Sequence, residues 1–149
     1  MKALDLAMIT VRYETMVSTD EKSEAHSHHE ELVAGLYGQM RTIFESSEQP
    51  MYLYLDDTHK TCNQKLASLL GYRTPQEWTR VEEFSDLVAE KSVKNLVTAY
   101  QDAMTKMTGS TIEVSWRTKS GGAVDTNVIL VPVSYNGHLF ALHFISPKV

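Results

Sequence analysis

The sequence predicts an α+β fold, helical at its start and dominated by antiparallel strands in its second half. Three observations carry this. Apolar residues recur at helical spacing up to "SSEQP", residues 46–50. Beyond Pro50, short stretches alternate apolar and polar residues between turn signals. The last three of these are joined by "SGG" and "YNGH", both hairpin sequences.

Composition bounds the class. The chain has 149 residues, 42% of them hydrophobic and 22% charged, enough for one domain with an appendage and a buried core. A net charge of -5, with no basic cluster longer than a pair, argues against nucleic acid as a partner. A single Cys forbids an intramolecular disulfide and fits a reducing, cytoplasmic compartment. No apolar run approaches the roughly 20 residues that span a bilayer, so no membrane association is expected. The opening "MKALDLAMITVRYETMV" is faintly like a signal peptide. Asp5 and Arg12 interrupt it, and no cleavage site follows.

Residues 3–17 read as helix, through Leu6, Ile9, Tyr13 and Met16, although "ITVRY" also alternates. "STDE", residues 18–21, matches a capping box and starts a helix over about 20–46. On that helix His26, His29, Val33, Leu36, Met40 and Ile43 recur at steps of three and four. Such a seam packs on another helix or on the protein's own sheet. A homodimer through this helix is therefore expected, with His29, Val33, Leu36, Met40 and Ile43 as the dimer-seam candidates. The expected division is an N-terminal helical extension, 1–46, and a domain over 47–149.

"MYLYLD" reads as a strand, "DDTH" as a turn and "KTC" as a second strand. Asn63 caps a helix whose inner face is Leu66, Leu69 and Leu70 and which Gly71 stops. Thr74 and Pro75 start another short helix. A longer one over about 90–107 places Val93, Leu96, Val97, Tyr100, Met104 and Met107 on one face, with Gly109 ending it. "STIEVSWRTK" alternates Ile112, Val114 and Trp116 against Glu113, Ser115 and Arg117. "AVDTNVILVPVS" and "HLFALHFIS" follow as strands, the last apolar on both faces and so expected to be covered on both.

This order of elements, with "CNQKLASLLGY", "DLV" at 86–88, "VSWRTKSGG" and "VPVSYNGHLFALHFI", resembles the PAS domain family over about residues 44–146. The resemblance implies a five-stranded antiparallel sheet with short helices on one face and the N-terminal extension on the other. It departs from the family at Ala89-Glu90-Lys91-Ser92, where many members carry His-Pro-Asp-Asp or similar. The chain also lacks the Asn-Cys-Arg-Phe-Leu motif of the flavin-binding LOV type, which disfavours a flavin photoadduct. Residues 90–107 contain no His, the place where haem-binding members keep their axial ligand, so haem is disfavoured as well. The cofactor stays unknown.

Cys62 is read as a small buried hydrophobe at a strand end. Its place near a helix N-terminus leaves a reactive thiol as the minor alternative. In "HSHHE", His26, His29 and Glu30 share a helix side. The stretch offers too few ligands for a structural zinc site, with no Cys and no second ligand segment, so no metal is expected and the turn reads as solvated. A symmetric metal clip or a pH-sensitive repulsion across a dimer is the smaller alternative, and the role of His26, His28 and His29 stays open.

The resembled fold lines its ligand cavity with one sheet face. The pocket candidates are Tyr100, Met104, Trp116, Asn127 and His143, weighed against plain core packing. Gly-rich phosphate loops, nucleophile elbows and convincing catalytic sets are missing from the sequence, so no enzyme is expected. The function implied by the resemblance is a sensory or signal-transduction module that passes a packing change to a separate output protein. The other reading is a ligand-free dimerisation or docking module. The chain stops at "SPKV" just after the last strand, so the output partner is expected to be non-covalent.

Overall fold

The computed structural model describes residues 19–148. The helix expected over 3–17 and Ser18 of the capping box lie outside the described residues. In order, the elements are α1 (Thr19–Ser46), β1 (Met51–Asp56), β2 (His59–Cys62), α2 (Gln64–Leu69), α3 (Pro75–Thr79) and α4 (Glu90–Lys106). The strands β3 (Ser110–Arg117), β4 (Ala123–Tyr135) and β5 (His138–Pro147) complete the chain. A 3-10 turn, Phe84–Asp86, precedes α4. The strands form one five-stranded sheet in the order β2-β1-β5-β4-β3, and every pairing is antiparallel.

Local chemistry sets these boundaries. Asn63 Oδ1 accepts from Leu66 N at 3.0 Å, which caps α2, and from Met51 N at 3.1 Å. One side chain thus fixes both the helix start and the first residue of β1. Thr74 caps α3 by accepting from Glu77 N, with Pro75 in the first turn where its missing N–H costs nothing. Asn136 and Gly137 both take positive φ, 47° and 78°, as a two-residue turn between right-twisted strands requires.

Two corrections arise here. Met107, not Gly109, ends α4: it adopts the left-handed conformation at φ 53°. It is 56% exposed and so leaves the apolar face assigned to it.

The sheet separates two apolar layers. Tyr52 and Tyr54 of β1 point inward with Val114, Trp116, Val128, Leu130, Ala141 and Ile145, against α2, α3 and α4. Met51 and Leu53 point the other way, with Phe140 and Leu142, against Leu32, Leu36 and Phe44 of α1. The last strand is covered on both faces, as its composition demands. Close approach of α1 to the β4–β5 hairpin depends on Gly35: a Cβ there would lie 2.4 Å from the Tyr135 hydroxyl.

Candidate functional site

Where α1 crosses the β1–β2 turn, side chains distant in sequence converge. The tight turn at Asp57-Thr58 brings Asp56 and His59 together, and His59 Nδ1 lies 2.6 Å from Asp56 Oδ1. The same oxygen accepts from Thr58 N and Thr58 Oγ1, at 3.0 and 3.1 Å. Asp56 Oδ2 meets His29 Nδ1 of α1 at 3.1 Å. His59 Nε2 is 2.8 Å from His26 Nδ1, and His26 Nε2 in turn is 2.8 Å from Glu30 Oε1. The ligand atoms of His29, Asp56 and His59 all lie within 4.8 Å of one another.

His59 and Asp56 are buried and His29 is partly so, its side chain 19% exposed. Burial works to raise the Asp56 carboxyl, but hydrogen bonding and charge from His59, then Thr58 and His29, outweigh it and hold it below its usual range. Burial lowers His29, with Asp56 opposing. His138, at the β4–β5 turn, has its ring centroid 6.0 Å from that of His29 and 5.2 Å from that of His28. The second segment of ligand-type side chains that "HSHHE" was expected to lack is thus supplied by the β1–β2 hairpin. His26 and His28 are exposed, whereas His29 is half-buried against Asp56 and departs from the solvated turn that was expected.

Beside this cluster a groove of about 260 Å³ runs between α1, β2 and α3, lined by Val33, Tyr37, His59, Lys60, Pro75 and Gln76 among others. Lys60 is buried at its edge. Its ammonium donates to the carbonyls of Asp57 at 2.5 Å, Val81 at 2.6 Å and Thr79 at 3.3 Å, and lies 5.5 Å from the Trp78 ring centroid. Three carbonyls use all three ammonium protons. Burial still pulls its pKa down to about 8.

The interior holds four of the five pocket candidates. The His143 ring stacks on Tyr52, centroids 3.7 Å apart and planes at 9°. Trp116 stands edge-on to Tyr52 at 5.5 Å and donates from Nε1 to Thr126 Oγ1 at 2.8 Å. Tyr100 meets Tyr54 edge-on at 5.6 Å, and Met104 packs half-buried against the same core. Burial holds His143 near a pKa of about 3, so it is neutral, and its Nδ1 has no hydrogen-bond partner among the described residues. Asn127 is the correction. It is exposed on the other face of β4, because Thr126 and Val128 take the inward positions.

The dimer-seam candidates divide in the same way. Leu36 is buried against the chain's own sheet; His29, Val33 and Met40 are partly covered; Ile43 stands 54% exposed. Cys62 is buried, and burial pushes its thiol up to about 12, which leaves almost no thiolate at neutral pH.

No protein-family model matches the chain, and no curated protein matches it. Its fold has many solved counterparts. A PAS domain of a Colwellia psychrerythraea protein superposes with a TM-score of 0.61 at 13% identity, covering 76% of this chain and 97% of that one. The PAS domain of an HTR-like protein from Haloarcula marismortui gives 0.57 at 13% identity, over 82% and 99%. A PAS domain from a two-component sensor histidine kinase gives 0.57 at 14% identity, over 77% and 99%. At such identities the likeness establishes the fold, and the fold is PAS-like.

Proposed function

We propose that this PAS-like chain is a sensory or signal-transduction module. A small ligand or a partner bound on the inner side of the sheet biases the packing of α1, and a separate output protein reads the change. Residues 1–46 serve as the extension that carries the signal and 47–149 as the sensing domain. Tyr100, Met104, Trp116 and His143 are the side chains that would touch such a ligand in this reading.

One observation carries the reading: the two apolar layers share the same strands. Tyr52 and Tyr54 face the interior while Met51 and Leu53, their neighbours in β1, hold α1. A shift of β1 that accommodates something inside must move the α1 contacts too. The effector shifts the balance only as far as it binds the two packings unequally. No helix among the described residues is long and apolar enough to cross a membrane. The lone buried thiol fits a cytoplasmic setting.

Native mass spectrometry with an absorption spectrum of the purified protein reports any retained ligand or chromophore and the oligomeric state. Amide exchange over 32–44 is then compared between the native chain and Trp116→Phe. Altered exchange in α1 supports transmission; identical exchange throughout α1 sinks it.

A second reading, a ligand-free dimerisation or docking module, is favoured by the closely packed His143, Tyr52, Trp116 and Trp78 rings, which occupy the interior. Its partner is a second copy, met through the exposed side of α1. Both readings describe a binding module and not an enzyme.

A further inference from the structure

We propose that His29, Asp56 and His59 form a binding site for one divalent transition-metal ion of the zinc class. Two imidazole nitrogens and a carboxylate oxygen suit zinc and its neighbours, whereas calcium and magnesium take oxygen sets. The three donors come from two segments, α1 and the β1–β2 hairpin, and already lie within 4.8 Å of one another. Metal–ligand bonds of about 2.0–2.2 Å in a tetrahedral shell place the donor atoms roughly 3.3–3.6 Å apart. His59 Nδ1 lies 2.6 Å from Asp56 Oδ1 and His29 Nδ1 3.1 Å from Oδ2 of the same carboxylate, so side-chain rotation must bring one of these oxygens and both nitrogens to that spacing.

The surroundings are built as a ligand requires. A metal-bound imidazole commonly donates its other N–H to an oriented acceptor, which fixes its tautomer. Bound through Nδ1, a neutral His59 carries its proton on Nε2 and donates it to His26 Nδ1, 2.8 Å away. A neutral His26 then carries its own proton on Nε2 and donates it to Glu30 Oε1 at 2.8 Å. Glu30 and His26 thereby become positioning residues for His59. The ion would join α1 to the edge of the sheet. Resting on the signalling role proposed above, this makes metal occupancy one of the conditions the module reports.

Isothermal titration with Zn²⁺ of the tag-free full chain tests the site. The expectation is one ion per chain, with affinity at least tenfold weaker in His29→Ala, His59→Ala and Asp56→Asn. A smaller loss is expected in His26→Ala. His28→Ala and His138→Ala should bind as the native chain does. Far-UV circular dichroism establishes that each variant is folded; Asp56→Asn keeps side-chain shape, and a visible Co²⁺ spectrum that changes in it identifies the carboxylate as a ligand. Absence of saturable one-to-one binding overturns the proposal. So does an ion that bridges two copies and is indifferent to Asp56→Asn. Zn²⁺ binding with unaltered amide exchange in α1 would confirm the metal site and remove only the signalling role.

Discussion

The imidazole of His143 lies flat on the phenol ring of Tyr52, their Cα atoms paired directly across β1 and β5. A charged ring there would be buried without solvation, which is why its pKa falls to about 3 from an ordinary 6.5. The unfolded chain takes up this proton below pH 6.5 and the folded chain does not. Stability from this source is complete above pH 6.5 and is lost as pH falls toward 3, by about 1.4 kcal/mol per unit. Denaturant titrations between pH 7 and 4 should show that slope, and His143→Phe should flatten it. A slope unaltered in the variant refutes the assignment.

Cys62 should be chemically silent in the folded protein. With its thiol raised to about 12 and buried, an aromatic disulfide reagent at pH 8 should label it only as fast as the fold opens. Stoichiometric labelling should appear in denaturant. Rapid labelling of the native chain would restore the reactive-thiol alternative.

Two glycines on one helix should answer alanine differently. Gly38 has no atom within 4 Å of an added Cβ, so Gly38→Ala should stabilise by about 0.5–1 kcal/mol through helix propensity alone. At Gly35 the same change drives a methyl against Tyr135 Oη, and the gain should be cancelled or reversed. Adding Tyr135→Phe should recover part of it. Equal thermal shifts for the two single variants would contradict the close approach.

Lys60→Met should cost about 2 kcal/mol, because the carbonyls of Asp57 and Val81 lose their ammonium donor while Trp78 loses a cation. Urea unfolding measures it. A variant as stable as the native protein would mean that water replaces the ammonium without penalty.

If α1 also joins two copies, Ile43→Asp should dissociate them in light scattering while shifting the single-chain melting temperature little, since Ile43 is exposed. Leu36→Asp should instead unfold the chain, because Leu36 is buried against its own sheet. A dimer untouched by Ile43→Asp places the contact elsewhere.

What the sequence discloses depends on how far apart the interacting parts lie. Asn63, Thr74-Pro75 and Asn136-Gly137 act on backbone within a few residues, and each boundary they mark is where the pattern put it. The phase of β4 is not fixed by its alternation. Asp125, Asn127 and Ile129 alternate as well as Thr126 and Val128 do, and Thr126 goes inward because its hydroxyl bonds both Trp116 Nε1 and the Val114 carbonyl. The histidine–carboxylate cluster joins residues 27 to 33 positions apart, and only folding brings "HSHHE" onto Asp56-Asp57-Thr58-His59. Two polar residues spaced i and i+3 in a tight turn were the available trace of it.

The segment before α4 also decides how the sheet meets other molecules. Ala89 N donates to Ser115 O and Arg117 N to Leu87 O, both at 2.9 Å, beside the Val88–Trp116 bridge. The C-terminal half of the edge strand β3 therefore has its outward Ser115 carbonyl and Arg117 amide already engaged by the chain itself. A foreign strand seeking to extend the sheet there must first strip that segment away, and lengthwise stacking of copies into fibres is blocked at its most apolar stretch.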